Sequence, residues 1–151
     1  MRMSCLTALA VVPVLLVGAR AGDAAKDLAQ FQGTWTPLSL EERGKKAPAE
    51  DLKNLIILIQ NNKMTIRDGG KDISLVVFKL DASKNPKSID LTAQDGPEKG
   101  KLVLGIYQFD FKDPKNETLK MCVDDGGKMR PADFTTSEKS ARSLIVLKKT
   151  K

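Results

Sequence analysis

From Gly33 onward, apolar and polar residues alternate in short runs separated by clusters of turn-forming residues, the period-two signature of half-buried β-strands. Gly33 to Leu40 reads as a first strand, and Gly44 to Pro48 reads as a loop. Ala49 to Lys53 reads as a short helix, with Pro48 at its start and acids in its first turn. Leu55 to Gln60 and Lys63 to Arg67 flank Asn61-Asn62, which predicts a hairpin. Lys71 to Leu80 places Val76, Phe78 and Leu80 on one face, and Ser83 to Pro86 interrupts the pattern before a short strand from Ser88 to Thr92. Lys101 to Phe111 is the longest run. It sets Val103, Gly105, Tyr107, Phe109 and Phe111 against Leu104, Ile106, Gln108 and Asp110. Thr118 to Val123 puts Leu119, Met121 and Val123 together, and Ser143 to Lys149 is the last strand. Gly126 to Arg142 has no regular pattern and is expected to be a long loop.

About eight short strands joined mostly by tight turns, with one short helix after the first strand and no βαβ spacing, predict an all-β antiparallel meander, either closed into a barrel or folded as a sandwich. The barrel domain is expected over residues 31–151, with residues 22–30 as a short helical or flexible lead-in. Leu55 to Ile59 is apolar on both faces, so its outer side should be covered, by the short helix or by a partner.

The first residues follow a different rule. Met1-Arg2-Met3 is a basic start, Leu6 to Val17 is an almost unbroken apolar run, and Ala19-Arg20-Ala21 fits the small-x-small pattern of a signal-peptidase site. The run contains Pro13 and is shorter than the roughly 20 apolar residues that a spanning helix needs. Residues 1–21 are therefore expected to be a cleaved signal peptide, with no stable membrane anchor left afterwards and a periplasmic or extracellular destination. Cleavage takes Arg2 and Arg20 from the 25 basic residues and none of the 19 acidic ones, which lowers the formal charge from +6 to +4. It also removes Cys5 and leaves Cys122 alone, so no internal disulfide is expected. A lone cysteine on a strand is either a buried small hydrophobe or a reactive thiol.

Several strings together resemble a family of exported domains of unknown function found mainly in planctomycete bacteria: Phe31-Gln-Gly-Thr-Trp35, Gly44-Lys-Lys-Ala-Pro48, Lys84-Asn-Pro-Lys-Ser-Ile-Asp90, Gly105-Ile-Tyr107, Leu119-Lys-Met-Cys122 and Arg130-Pro131. The resemblance covers nearly all of the chain after the signal and implies a lipocalin-like barrel. The Gly33-x-Trp35 unit is similar to the first lipocalin motif, in which the tryptophan plugs the closed end of the barrel beside an arginine. That similarity implies barrel-closing roles for Trp35 and for Arg130 or Arg142 as the cation over its ring; Trp35 as a plain core residue is the alternative.

Candidate chemistry is sparse. Histidine is absent, which removes the commonest general base and transition-metal ligand, and no cofactor or metal is expected. Cys122 has no histidine to activate it. Asp90, Asp95, Asp110, Asp113, Asp124 and Asp125 could supply a carboxylate pair for hydrolysis, but most lie in turn signals, where aspartate ordinarily accepts from nearby backbone N–H groups. Asp124-Asp125-Gly126-Gly127 lacks the spaced acids of a calcium loop, and the glycine pairs are followed by no phosphate-loop context. Aromatic residues make up 5% of the chain and are not interleaved with a basic stripe, so a nucleic-acid surface is not expected. The sequence thus points to a non-catalytic barrel. Either it holds a small apolar or amphipathic ligand among Trp35, Phe78, Tyr107, Phe109 and Met121, or it has a packed interior and works through its surface on a protein partner whose identity stays open.

Overall fold

In the computed structural model, residues 21–150 are described, and the chain folds into an all-β, lipocalin-like barrel with two helices. Of residues 1–21, where a signal peptide is expected, all lie outside the described residues except Ala21, where the first helix begins. In chain order the elements are α1 (Ala21–Phe31), β1 (Gly33–Glu42), β2 (Lys45–Lys46), α2 (Ala49–Leu52), β3 (Leu55–Gln60), β4 (Lys63–Asp68), β5 (Lys71–Asp81), β6 (Lys87–Ala93), β7 (Leu102–Asp110), β8 (Thr118–Asp124) and β9 (Arg142–Thr150). Neither helix is long and apolar enough to cross a membrane.

All neighbouring strands pair antiparallel, and β9 returns to pair with β1 from Thr34↔Thr150 to Glu42↔Ser143. Eight strands therefore close the barrel, and β2 is a two-residue extension hydrogen-bonded to the end of β1. Closure removes the unpaired edges that a nine-strand open sheet would expose. The seam between β1 and β3 is short: only Gly33, Thr34 and Trp35 pair with Ile59, Leu58 and Ile57. Past that point β1 bends through a register shift between Pro37 and Ser39, because proline has no N–H to give to a ladder. α2 packs against β1 and buries Leu52. On β3, Ile57 and Ile59 point into the core while Ile56 and Leu58 are half-buried on the outer side.

The alternation read from the sequence fixes which residues face inward. Cross-strand partners lie on the same face, so Phe78↔Leu91, Leu80↔Ile89, Tyr107↔Met121, Phe109↔Leu119 and Leu119↔Leu147 form a continuous inner layer. Gly105 also faces inward, and a β-carbon there would come within 2.8 Å of Val123 and 3.1 Å of Ile89, so the close approach of β6, β7 and β8 requires glycine.

α1 closes one end of this barrel. Its inward stripe is Ala24, Asp27, Leu28 and Phe31, at spacings of three and four residues. Phe31 is fully buried and sits at the hub of an aromatic cluster, with ring centroids 5.3 Å from Phe78, 5.1 Å from Tyr107 and 5.1 Å from Phe109. Burying a phenylalanine side chain contributes about 1.5–3 kcal/mol. The chain turns from helix into β1 at Gly33, whose φ of +116° suits glycine alone. Gln32 pins the junction. Its side-chain amide donates to the Leu28 and Asn61 carbonyls at 2.8 and 3.0 Å and accepts from the Asn61 N–H at 2.6 Å.

The long segment between β8 and β9, residues 125–141, is a strap across the outer wall rather than a free loop. Arg130 reaches from it to the Gly105 carbonyl at 2.7 Å, the Ile89 carbonyl at 3.1 Å and the Asp90 carboxylate at 2.6 Å, joining β6 to β7 from outside. Outward-facing Ser88, Ile106 and Cys122 are consequently buried.

Candidate functional site at the helix-capped end

Asp27 is a carboxylate on the inward stripe of α1, four residues before Phe31, and it is 3% exposed. A buried charge needs partners. Lys87 and Tyr107 provide them: they face each other across β6 and β7, and both reach the same Asp27 oxygen, Oδ2, with Lys87 Nζ and Tyr107 Oη each donating at 2.7 Å. The helix is thus docked by aromatic packing at its last residue and by a buried polar cluster one turn earlier. Burial pushes the Tyr107 phenol far above its ordinary value, and its hydrogen bond to Asp27 adds to the shift, so the hydroxyl remains a donor across all ordinary pH.

Beside this cluster lies a cleft of about 660 Å³. Its apolar wall is Phe109, Phe111 and Phe134, and its polar wall includes Lys26, Asp27, Lys87 and Tyr107. Four segments far apart in sequence build it: α1, the turn between β5 and β6 with Lys87, the end of β7, and the strap that carries Phe134. On the other side of α1 a second cleft, of about 600 Å³, is lined by Leu28, Phe78, Leu80 and Leu102 among others. The arrangement offers an aromatic wall, a fixed hydroxyl and two ammonium groups. Such groups suit recognition rather than catalysis, because a neutral phenol and an ion-paired carboxylate are poor nucleophiles.

The residues expected to line the interior divide here. Trp35, Phe78 and Met121 are 0%, 3% and 4% exposed and are enclosed with Phe31, Ile59, Ile89, Leu119 and Leu147 in one packed core. Tyr107 belongs to that core and also lines the first cleft, together with half-buried Phe109; Phe78 borders the second.

The barrel-closing assignment needs correction at its cation. Trp35 is fully buried and donates its indole N–H to the Phe31 carbonyl at 2.8 Å, but the charge over its ring is Lys149, at 5.3 Å from the ring centroid. Lys149 also donates to the Gln30 carbonyl at 3.2 Å, where a cation meets the negative end of α1. Arg130 lies on the outer wall, and Arg142 bonds Asp133 at 3.2 Å and the Thr135 carbonyl at 3.4 Å. Lys149 is missed when the C-terminal lysines are read as a solvated cluster. Its place on the same face as Ile145 and Leu147 is the signal that finds it.

The turn aspartates go mostly to backbone groups. Asp95 accepts from Leu75 N–H, Asp110 from Lys112 N–H, Asp113 from Lys115 N–H, and Asp124 from Gly126 and Met129 N–H, at 2.9–3.2 Å. Asp125 accepts from the Ser143 hydroxyl, and Asp90 is paired with Arg130. Cys122 lies beneath the strap, 3.9 Å from the Thr135 carbonyl, and burial pushes its thiol up, away from the thiolate form that reacts.

The fold and its capped end define a closed lipocalin-like barrel with a cleft beside the closing helix. No family model, curated protein sequence or solved structure matches the chain.

Proposed function

We propose that the protein is exported and acts as a non-catalytic, lipocalin-like binding protein that takes one small amphipathic molecule at the helix-capped end of the barrel. One observation carries this reading: the cleft of about 660 Å³ is lined by Phe109, Phe111 and Phe134 together with Lys26, Lys87 and Tyr107. Its volume lies within the roughly 300–1,000 Å³ of small-molecule sites, and its mixture of apolar wall and few polar groups is what such sites use. The Phe109 and Phe111 rings lie 4.9 Å apart between centroids, tilted by 35°, and together offer an aromatic wall to a hydrophobic tail.

The test uses anilinonaphthalene sulfonate, a fluorescent amphiphile with an aromatic body and an anionic head. Saturable enhancement at one site per chain, weakened about tenfold by Phe111→Ala with the fold retained, is the expected result. Equal binding by the wild type and the variant would remove the cleft as the site.

A second reading is favoured by the filled interior. Between Phe31 and Leu147 the barrel is packed with its own side chains, as in a module that works through its outer surface. That reading predicts no saturable amphiphile binding.

A further inference from the structure

The strap forms another polar cleft, of about 640 Å³, whose lining includes no α1 residue. Lys128, Lys139 and Arg142 line it with the hydroxyl-bearing residues Thr136, Ser137 and Ser140. Asp124 is the acid in this lining, and it is turned away from a ligand: it is 9% exposed, and its two oxygens accept from the Gly126 and Met129 N–H groups at 3.0 and 2.9 Å. Among the described residues neither Lys128 nor Lys139 makes an ion pair, and both are exposed. Arg142 shares its charge with Asp133 across 3.2 Å, and that carboxylate is 61% exposed. The lining therefore carries a surplus of positive charge.

The cleft is also held in shape. Thr136 accepts from the Gly44 N–H at 3.1 Å and donates to Glu41, which ties the strap to the β1–β2 turn. The Ser140 hydroxyl closes a local turn with Ser137, accepting from its N–H at 3.0 Å and donating to its carbonyl at 2.9 Å. A preformed rim that carries cations binds an anion without first ordering a loop.

We infer that this cleft binds a tetrahedral oxyanion, the phosphate or sulfate group of a larger ligand, with Lys128, Lys139 and Arg142 as its charge partners. Two ammonium groups and a planar guanidinium suit such a group, which accepts hydrogen bonds from several directions. The group could be carried by a soluble ligand or by a lipid headgroup, and the chemistry at the cleft is the same.

The purified protein is titrated with inorganic phosphate, against chloride at matched pH and ionic strength, and followed by amide NMR. Saturable shifts confined to residues 126–142 are expected. The double variant Lys128→Ala/Lys139→Ala should lose about tenfold or more in affinity with the remaining spectrum unchanged, and Lys128→Arg/Lys139→Arg should restore it. Unsaturable shifts, or equal affinity in wild type and the alanine variant, overturn the inference. In a second arm, vesicles containing phosphatidylglycerol are compared with phosphatidylcholine vesicles. Sedimentation with the anionic vesicles alone, lost in the alanine variant, identifies a lipid headgroup as the source. Saturation by phosphate without sedimentation identifies a soluble ligand.

Discussion

The two ends of the barrel are built from the same alternation and end up in different states. At the α1 end, inward residues such as Ile59, Ile89, Leu119 and Leu147 are no more than 1% exposed. Toward the opposite end, inward Ile66, Val76, Leu91, Val103, Val123 and Ile145 are only half-buried, and among the described residues no helix lies across them. An inward-facing strand position is therefore not yet a core position. What completes the core is α1, which brings Phe31 into the aromatic cluster and Asp27 to Lys87 and Tyr107. The helix that seals the barrel also forms one wall of the cleft, so closure and the shape of the cleft depend on the same contacts.

This contrast is broken most severely by Phe31→Ala. Loss of the hub leaves a cavity among Phe78, Tyr107 and Phe109 and is expected to cost about 3–5 kcal/mol in urea unfolding. Asp27→Asn should cost about 1–3 kcal/mol, because Lys87 loses its charge partner while the amide oxygen still accepts from Tyr107. Lys87 is 41% exposed and can turn to water, which keeps the loss below that of a fully buried pair. Hydrogen exchange should show α1 loosening before the barrel does.

Tyr107 gives a pH-dependent handle, since it is the sole tyrosine of the chain. Its folded-state value lies above the unfolded one, so its contribution to stability is intact below the ordinary tyrosine value, about 10, and is lost as pH rises above it while the unfolded chain ionises. Tyrosinate absorbance of the native protein should stay low through that range and rise only with unfolding, and Tyr107→Phe should flatten the alkaline decline of the urea midpoint. A native titration at the ordinary value would contradict the burial and the Asp27 contact. The smallest effect is expected at the opposite end, where Val103→Ala should cost about 1 kcal/mol or less. A loss as large as that of Phe31→Ala would erase the distinction between the ends.

Much of this was legible in local pattern. The faces of Val76, Phe78 and Leu80 and of Leu119, Met121 and Val123, the Asn61-Asn62 turn, and the short helix after Pro48 all follow from neighbouring residues, and the structure has them as expected. The contacts that seal the barrel are not local: Asp27 meets Lys87 and Tyr107 across 60 and 80 residues of sequence. In sequence, Asp27 is one acid in a short lead-in and Lys87 one lysine among many. The strap was hidden for a similar reason, because two of its anchors are the carbonyls of Ile89 and Gly105 and no side-chain pattern marks a carbonyl that will be used. Phe134, alone in that irregular stretch, becomes part of the cleft only once the strap is laid on the wall.

The central claim is that the helix-capped end holds a small amphipathic molecule, and native mass spectrometry of the protein gently purified from its own source tests it most directly. A single extra mass per chain, released on unfolding and absent from a Phe111→Ala variant prepared the same way, is the predicted result. A bare chain with the same mass as its unfolded form, unchanged by added amphiphile, would contradict it and leave the packed interior and the outer surface as the working parts of the molecule.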